Sequence, residues 1–247
     1  MTAARPGLVV RVCAGIVNTV VRGLAFAFTR WRVEGREHVP REGSVILVAN
    51  HITNLDPPIL ATATHRHVTY MAKQELFDLP VIGFVFRLYG AFSVRRFEAD
   101  LAALRQAQNV LKGGQVLGMF PEGTRSRGSG LGAPYPGAAL IALRSNALIV
   151  PAAITGTERL MGLGLILFPF TRPRITVRFG EPFRLPQTAR PRPDDIKRGS
   201  MQIMRSIAEL LPEPYLGPHG RALLAGEDIP LAAGPPAHYL EKTAGQR

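Results

Sequence analysis

Cysteine is almost absent from this chain of 247 residues, which contains Cys13 alone. A lone cysteine excludes an internal disulfide framework and every metal site built from several cysteines. This usage fits a reducing compartment, so the cytosolic side of a membrane is the default expectation. Acidic residues are also scarce, since 18 Asp and Glu oppose 30 Lys and Arg and leave a net charge of +12. Such an excess favours an anionic partner, namely nucleic acid, a membrane surface or a phosphorylated substrate.

Aromatic residues make up only 7% of the chain. Nucleic-acid binders stack bases on aromatic side chains interleaved with basic ones, or present a recognition helix to a groove. The sequence has neither pattern, so nucleic acid is not expected as a partner. It also lacks a P-loop and internal repeats, while its length and its 46% hydrophobic content suffice for one domain with a sizeable core.

A clean apolar run of 18 residues is missing from residues 1–30, because Arg11, Asn18 and Arg22 divide the segment. No cleavage pattern of a signal peptide follows a compact apolar core either. Arginines among Leu, Val, Ile and Phe are typical of helices that lie in the lipid interface. We therefore predict one or two amphipathic helices in residues 1–30 that contact anionic lipids of a membrane surface. A helix packed on the body of the protein is the alternative.

Short apolar runs alternate with helical stretches through the rest of the chain, as expected of an α/β domain. Strands are predicted at 44–51, 67–72, 91–96, 115–120, 147–154 and 174–180. Helices are predicted at 57–64, 79–89, 98–112, 136–145 and 194–211. Strands that are apolar throughout are covered on both faces, which favours a mixed, largely parallel sheet between helices over residues 31–212. Residues 213–247, rich in Pro, Gly and Ala without a sustained period, are predicted to form a loosely ordered tail.

His51 and Asp56 follow the first predicted strand, in the stretch VANHITNLDPP. Five residues along an α-helix turn the chain by about 500°, so the two side chains would not share a helical face. An aspartate before proline is instead typical of a helix start at Asp56. The loop between them could return the carboxylate to His51, fixing the imidazole tautomer and leaving the other nitrogen as a base. The alternative is a helix-capping aspartate beside a solvated histidine.

A second polar stretch, MFPEGTRSRGSG, follows another predicted strand. Arg125 and Arg127 could form a fork that grips phosphate oxygens, assisted by backbone amides near Gly123. Glu122 is expected to stay ionised beside these arginines and to orient one of them or a substrate hydroxyl. A solvated polar loop is the alternative interpretation.

A third stretch, YGAFSVRRFE, ends a further predicted strand with Arg95 and Arg96. In an open α/β sheet, ligands bind in a crevice at one edge of the strands. Three polar groups at the ends of apolar strands therefore predict a single cleft.

Taken in order, these stretches resemble the glycerolipid acyltransferase family of the 1-acylglycerol-3-phosphate acyltransferase type, over about residues 30 to 185. NHITNLD resembles the family's NHxxxxD block, and GAFSVRR resembles the second block, with Gly90 and Arg96 in its two positions. FPEGTRS is the third and most specific block, and LIVPAAI corresponds to the fourth. Arg95 departs from the Asp that many members carry at its position.

The resemblance implies a glycerol-3-phosphate acyltransferase-like α/β fold and an O-acyltransferase. His51 would be the general base, and Asp56 would orient it. The substrate-binding positions would be Arg96, Glu122, Gly123, Thr124, Arg125 and Pro151. The implied reaction moves a fatty acyl chain from acyl-CoA or acyl-carrier protein to the free hydroxyl of 1-acylglycerol-3-phosphate, which makes phosphatidic acid without a metal or other cofactor. Another lysophospholipid, a glycolipid or an amino-acid lipid is the alternative acceptor.

Because both implied substrates are lipids, the apolar segment 1–30 could hold the active-site cleft at the membrane surface. We expect a peripheral or monotopic protein on the cytoplasmic face of the cell membrane, where a lysophospholipid acceptor resides. The apolar run 76–92 either lines an acyl tunnel or forms a buried core helix. A membrane-surface binding protein without chemistry would explain the charge, but it would not explain His51, Asp56 and Glu122 together.

Overall fold

The computed structural model describes residues 7–95, 100–126, 130–161 and 170–234. The strands are β1 Arg30–Glu34, β2 Val45–Ala49, β3 Val68–Lys73, β4 Phe92–Val94, β5 Val116–Met119, β6 Leu148–Thr155 and β7 Arg174–Phe179. The helices are α1 Leu8–Phe28, α2 Asp56–Ala63, α3 Gln74–Phe77, α4 Pro80–Tyr89, α5 Leu101–Lys112, α6 Gly137–Ser145, α7 Pro193–Ala208 and α8 Gly217–Leu224. Short 3-10 helices lie at Arg36–His38, Thr157–Leu160 and Glu213–Tyr215. All six predicted strands and five predicted helices are present, with ends shifted by a few residues.

The described strands form one sheet in the order β1-β7-β6-β2-β5-β3-β4. The five strands β6, β2, β5, β3 and β4 run parallel to one another. β7 is antiparallel to β6 and parallel to β1. The prediction of a mixed, largely parallel sheet is therefore confirmed.

Strand β2 occupies the middle of the sheet and is buried on both faces. Ile46 and Val48 pack on one side with residues of α5, α6, α7 and α8. Leu47 and Ala49 pack on the other side with residues of α2. Because successive side chains of a strand point to opposite faces, an apolar residue is required at every position here.

Helix α1 is one continuous helix of 21 residues that packs against α2 and α4. By length and composition it is apolar enough to cross a membrane. Arg11, Asn18 and Arg22 lie within this helix without breaking it, so the segment forms one helix of the one or two predicted. The side chains of Asn18 and Arg22 bind the protein: Asn18 accepts a hydrogen bond from the Tyr89 hydroxyl, and Arg22 donates to the backbone oxygens of Thr62 and Thr64.

The outer face of α1 is an apolar stripe. Its members recur every four residues and are each more than half exposed: Leu8, Val12, Ile16, Val20 and Leu24. The neighbouring helix α4 is also apolar and exposed, at Val81, Ile82, Phe84 and Val85. A buried core helix is therefore the wrong interpretation for this part of 76–92. We call the exposed side chains of α1 and α4 together the apolar face.

Strand β1, with the sequence RWRVE, follows α1 and was not predicted. In the structure Arg32 forms an ion pair with Glu34, at 2.6 Å between Nε and Oε1. Arg178 of β7 binds the other oxygen of Glu34 at 2.6 Å.

The predicted loose tail is wrong for residues 213–234. This segment contains α8, and Leu216, Leu223 and Ile229 are each less than 5% exposed and belong to the core on one face of the sheet. These three buried residues are widely spaced among Pro, Gly and Ala. The sequence therefore shows no helical period from which their burial could be predicted. Residues 235–247 lie outside the described residues.

Candidate active site

Asn50 extends the central strand beyond its last backbone pair. Its side-chain amide donates to the Ile154 oxygen at 2.9 Å, and the Ile154 N–H donates to its Oδ1 at 2.8 Å. The side chain thus replaces one step of the ladder between β2 and β6. The next residue, His51, is held at the carboxyl end of β2, where the parallel strands of the sheet present their ligand-binding edge.

His51 and Asp56 are brought together by the turn that follows β2. The distance from His51 Nδ1 to Asp56 Oδ2 is 2.9 Å. Asp56 is fully buried, whereas 9% of the His51 side chain is exposed. Solvent therefore reaches the pair only at the imidazole ring of His51.

Asp56 is the acceptor of five hydrogen bonds. Its Oδ2 accepts from His51 and from the backbone N–H groups of Ile52 and Thr53, and its Oδ1 accepts from the hydroxyls of Thr53 and Thr157. The helix α2 begins at Asp56 as predicted, but the carboxylate does not cap it. It binds amides of the preceding loop instead, so the capping interpretation is corrected.

The hydrogen bond with Asp56 decides the tautomer of His51. Because a carboxylate oxygen only accepts hydrogen bonds, the proton between Asp56 Oδ2 and the ring belongs to Nδ1. Nε2 is left with its lone pair, and it hydrogen-bonds no group of the described residues. The ring stacks on Phe120, with centroids 4.2 Å apart, and the stacking limits its rotation. A neutral imidazole of this kind can take a proton from a hydroxyl placed at Nε2.

Glu122 lies behind His51 and binds backbone amides. Its Oε1 accepts from the His51 N–H at 2.9 Å, and its Oε2 accepts from the Gly132 N–H at 2.8 Å. The side chain is only 2% exposed. Within the described residues these two amides are its hydrogen-bond partners, and they set the positions of the β2 end and the loop after β5. The role of Glu122 in orienting an arginine or a substrate hydroxyl stays a prediction.

Burial raises the pKa of Glu122 to about 7, an effect that the two amide hydrogen bonds partly oppose and the charge of Asp56 reinforces. The expectation that Glu122 is fully ionised at neutral pH is therefore corrected. The reason is the depth of Glu122 in the protein, which the residues that follow it, Gly123, Thr124 and Arg125, did not indicate.

The loop after β5 is tied directly to His51. The Ser126 N–H donates to the His51 oxygen at 2.7 Å, so Arg125, which is half-buried, enters the rim of the site. Gly123 has φ +62°, and a Cβ there would lie 2.5 Å from the ring of Tyr135. Only glycine fits this turn. Thr124 is half-buried in the same loop.

The remaining predicted positions are placed less directly. Arg96 and Arg127 lie outside the described residues. Gly90 ends α4 with φ +82° and starts the turn into β4. Pro151 is buried inside β6, paired in register with Val48 of β2, where it packs within the sheet.

Thr157 and Phe120 are site residues that the sequence analysis missed. Thr157 is fully buried in the 3-10 helix after β6, and its hydroxyl donates to Asp56 Oδ1 at 2.6 Å. Phe120 opens the FPEGTRS stretch, yet an apolar residue at a strand end gives no local sign that it stacks on a histidine. A threonine directly after a buried strand on the same sheet edge was the one available signal.

A protein-family model described as Acyltransferase matches residues 30–155. This range covers α2 to α6, β1 to β6 and both ends of the His51–Asp56 turn.

Two relatives share the name 1-acyl-sn-glycerol-3-phosphate acyltransferase. The protein from Streptococcus pneumoniae is 33% identical over 199 residues, which cover 77% of this chain and 68% of the relative. The protein from Borreliella burgdorferi is 29% identical over 153 residues, covering 59% of this chain and 61% of the relative.

The fold is similar to a crystal structure of the 1-acyl-sn-glycerophosphate (LPA) acyltransferase PlsC from Thermotoga maritima. The TM-score is 0.59 with 23% sequence identity, and the match covers 81% of each chain. This likeness independently supports the α/β architecture described above.

Proposed function

Since this chain belongs to the Acyltransferase family and is an O-acyltransferase, we propose that it moves a fatty acyl chain to the free hydroxyl of 1-acylglycerol-3-phosphate. The product would be phosphatidic acid, and the donor would be acyl-CoA or acyl-carrier protein. The observation that carries the proposal is the bond from His51 Nδ1 to Asp56, which leaves Nε2 as a base at the ligand edge of the sheet.

In the proposed mechanism, His51 Nε2 takes the proton of the acceptor hydroxyl as its oxygen attacks the thioester carbonyl. The tetrahedral intermediate then collapses, the carbon–sulfur bond breaks, and the imidazolium returns the proton to the leaving thiolate. Asp56 stabilises the transient imidazolium and keeps the ring in place. A positioned base of this kind typically contributes about 10²- to 10⁴-fold in rate.

Arg125 is the described residue best placed to hold the acceptor phosphate. It lies one residue before Ser126, whose N–H is bonded to the His51 oxygen, so the backbone of Arg125 lies close to the catalytic histidine. A guanidinium can bind two phosphate oxygens at once, which fixes orientation as well as position. Arg96 remains a second predicted phosphate ligand.

We assign the apolar face to membrane contact, with the protein on the cytoplasmic side as a peripheral or monotopic protein. A surface of large apolar side chains spread over two neighbouring helices is unusual for a soluble monomer. Lipid acyl chains would cover it and bring the lysophospholipid to the site.

The acceptor is tested by incubating the purified chain with labelled acyl-CoA, or with labelled acyl-carrier protein, and a panel of lysolipids. The panel contains 1-acylglycerol-3-phosphate, other lysophospholipids, a glycolipid and an amino-acid lipid. We expect the highest kcat/KM with 1-acylglycerol-3-phosphate. A preference for another acceptor would reassign the substrate within the same family, and transfer to none of them would refute the proposal.

Membrane contact is tested by sedimentation with anionic vesicles. Ile16→Glu places a charge in the middle of the apolar face and should lower the bound fraction severalfold. Leu224→Glu changes an exposed leucine of α8, on the other side of the sheet, and is the matched control. Equal binding of both variants would place the membrane contact on another surface.

A further inference from the structure

A cavity of about 400 Å³ lies at the end of α2 that is remote from Asp56. It is lined by α1, by Arg36 of the 3-10 helix Arg36–His38 and by residues 64–67, which connect α2 to β3. The polar side chains of the lining include Asn18, Arg22, Arg36, His65, Arg66 and His67. An eight-residue helix is about 12 Å long, so this cavity is separate from the site at His51.

The lining is cationic and contains no carboxylate. Burial lowers the pKa of Arg36, and the charges of Arg22 and Arg41 lower it further. Burial likewise lowers the pKa of His65, followed by the charges of Arg36, Arg41 and Arg66. Each group therefore experiences a positive field from its neighbours, which an anion in the cavity would neutralise.

The arginines are anchored on backbone oxygens. The Nη2 atoms of Arg22 and Arg36 donate to the Thr64 oxygen at 3.2 and 2.8 Å. Arg66 donates to the oxygens of Pro40, Gly43 and Gly114. These bonds hold the three guanidinium groups around the cavity in fixed orientations, without neutralising their charge.

Other polar atoms of the lining have no partner among the described residues. Arg36 Nε and both ring nitrogens of His67 are buried and form no hydrogen bond. Burial lowers the pKa of His67, so its neutral ring offers one donor and one acceptor. Buried polar groups without partners are rare in folded proteins and indicate a missing ligand or water.

We propose that this cavity is a second anion site, which binds the phosphate group of a membrane phospholipid outside the catalytic centre. Phosphate oxygens match guanidinium and imidazole donors, and the volume suits a headgroup. The membrane source follows from α1, since this one helix lines the cavity with Asn18 and Arg22 and carries the exposed apolar stripe on its outer face. Acyl chains on that stripe would place a headgroup phosphate at the arginines.

The test follows the imidazole resonances of His67 by NMR at constant ionic strength. One arm titrates inorganic phosphate, and the other titrates dihexanoyl-phosphatidylglycerol below its micelle concentration, with sodium chloride as the reference. We expect saturable shifts with both, and saturation at an at least tenfold lower concentration with the lipid because its chains add apolar contact. The same shifts should persist in His51→Ala.

Two variants and their controls identify the ligand groups. His65→Glu brings a carboxylate to an exposed position at the rim of the cavity and should weaken phosphate binding about tenfold or more. The control, Gln187→Glu, changes the charge equally at a remote exposed position. It should change the phosphate affinity less than about twofold. Arg22→Gln with Arg36→Gln should have at least the same effect, against Arg105→Gln with Arg190→Gln as exposed controls.

The absence of a saturable His67 shift in both arms would refute the site. Equal phosphate affinity in His65→Glu and Gln187→Glu would refute it as well, even if the double arginine variant does not fold. Tighter binding of inorganic phosphate than of the lipid would overturn the membrane source.

Discussion

The two ends of α2 differ in how completely their polar groups are paired. At the first end, Asp56 has five hydrogen-bond donors, and Glu122 behind it has two. At the last end, arginines and histidines surround a cavity in which Arg36 Nε and both His67 nitrogens are unpaired within the described structure.

We interpret this difference in pairing as the difference between a catalytic site and a ligand-binding site. A general base must be held in one tautomer and one position before the substrate arrives, and complete pairing of its support achieves this. A binding cavity gains affinity when its donors are paired only by the ligand. Variants that weaken the hydrogen-bonded support of His51 at the first end of α2 should therefore lower catalytic activity.

Asp56→Asn should have the largest effect on that support. The amide cannot accept all five bonds, and it can present an N–H to His51, which favours the wrong tautomer. We expect kcat to fall about 10³- to 10⁴-fold. Asp195→Asn removes a carboxylate that caps α7 far from the site and should leave kcat unchanged. A kcat for Asp56→Asn within tenfold of the wild type would contradict the claim that the hydrogen-bonded support of Asp56 is needed for catalysis.

Glu122→Gln tests the second buried carboxylate through pH. In the folded protein burial raises the pKa of Glu122 from its ordinary value of 4.5 to about 7, so between these pH values the folded state binds more protons than the unfolded state. Its contribution to stability is therefore greatest below pH 4.5 and is lost as pH rises through 7. The free energy of unfolding of the wild type relative to Glu122→Gln should fall between pH 5 and pH 8, by an amount on the order of 1–3 kcal/mol.

Urea unfolding of both proteins at several pH values measures this difference. Because all other carboxylates are shared, their titration cancels in the comparison. If the difference in the free energy of unfolding is constant with pH, Glu122 does not titrate in this range. The statement that burial raises its pKa would then be wrong.

Arg125→Ala tests binding of the acceptor phosphate rather than the hydrogen-bonded support of His51. The loss of a guanidinium that binds the acceptor phosphate should raise KM for a phosphorylated acceptor about tenfold or more and change kcat less. Arg105→Ala, an exposed arginine of α5, controls for the lost charge. An unchanged KM in Arg125→Ala would move the phosphate contact to another residue.

Thr157→Val should have the smallest effect. It removes one of the five donors to Asp56, and we expect kcat to fall up to about tenfold with a loss of stability of about 1 kcal/mol. Thr62→Val removes a buried hydroxyl of α2 that binds the Ile59 oxygen instead, so it should lower stability without lowering kcat more than about twofold. Equal loss of kcat in the two variants would assign Thr157 a general structural role.

Local patterns in the sequence predicted much of the fold and the central pair. Each buried strand is a short apolar run, and the spacing of His51, Asp56 and Pro57 predicts a strand end, a turn and a helix start. Strand β1 escaped prediction because its sheet partner β7 lies more than a hundred residues further along the chain. The anchors of α8 escaped because Leu216 and Leu223 are buried by tertiary contacts alone.

The support of the site could not be predicted from local patterns. Thr157 lies 101 residues from Asp56, and Glu122 lies 71 residues from His51. Nothing near Glu122 in the sequence indicates that its carboxylate points inward to two amides. The cavity at the other end of α2 likewise assembles Arg22, Arg36 and His67 from three separate segments.

The most direct test of the account is the acyl-transfer rate of His51→Ala with saturating donor and 1-acylglycerol-3-phosphate. His51 contacts its surroundings mainly through Asp56 and Phe120, and its backbone bonds are kept, so the variant should fold with nearly the wild-type Tm. We predict a loss of about 10²- to 10⁴-fold in kcat, or more. A folded His51→Ala variant that turns over at close to the wild-type rate would contradict the assignment of Nε2 as the catalytic base.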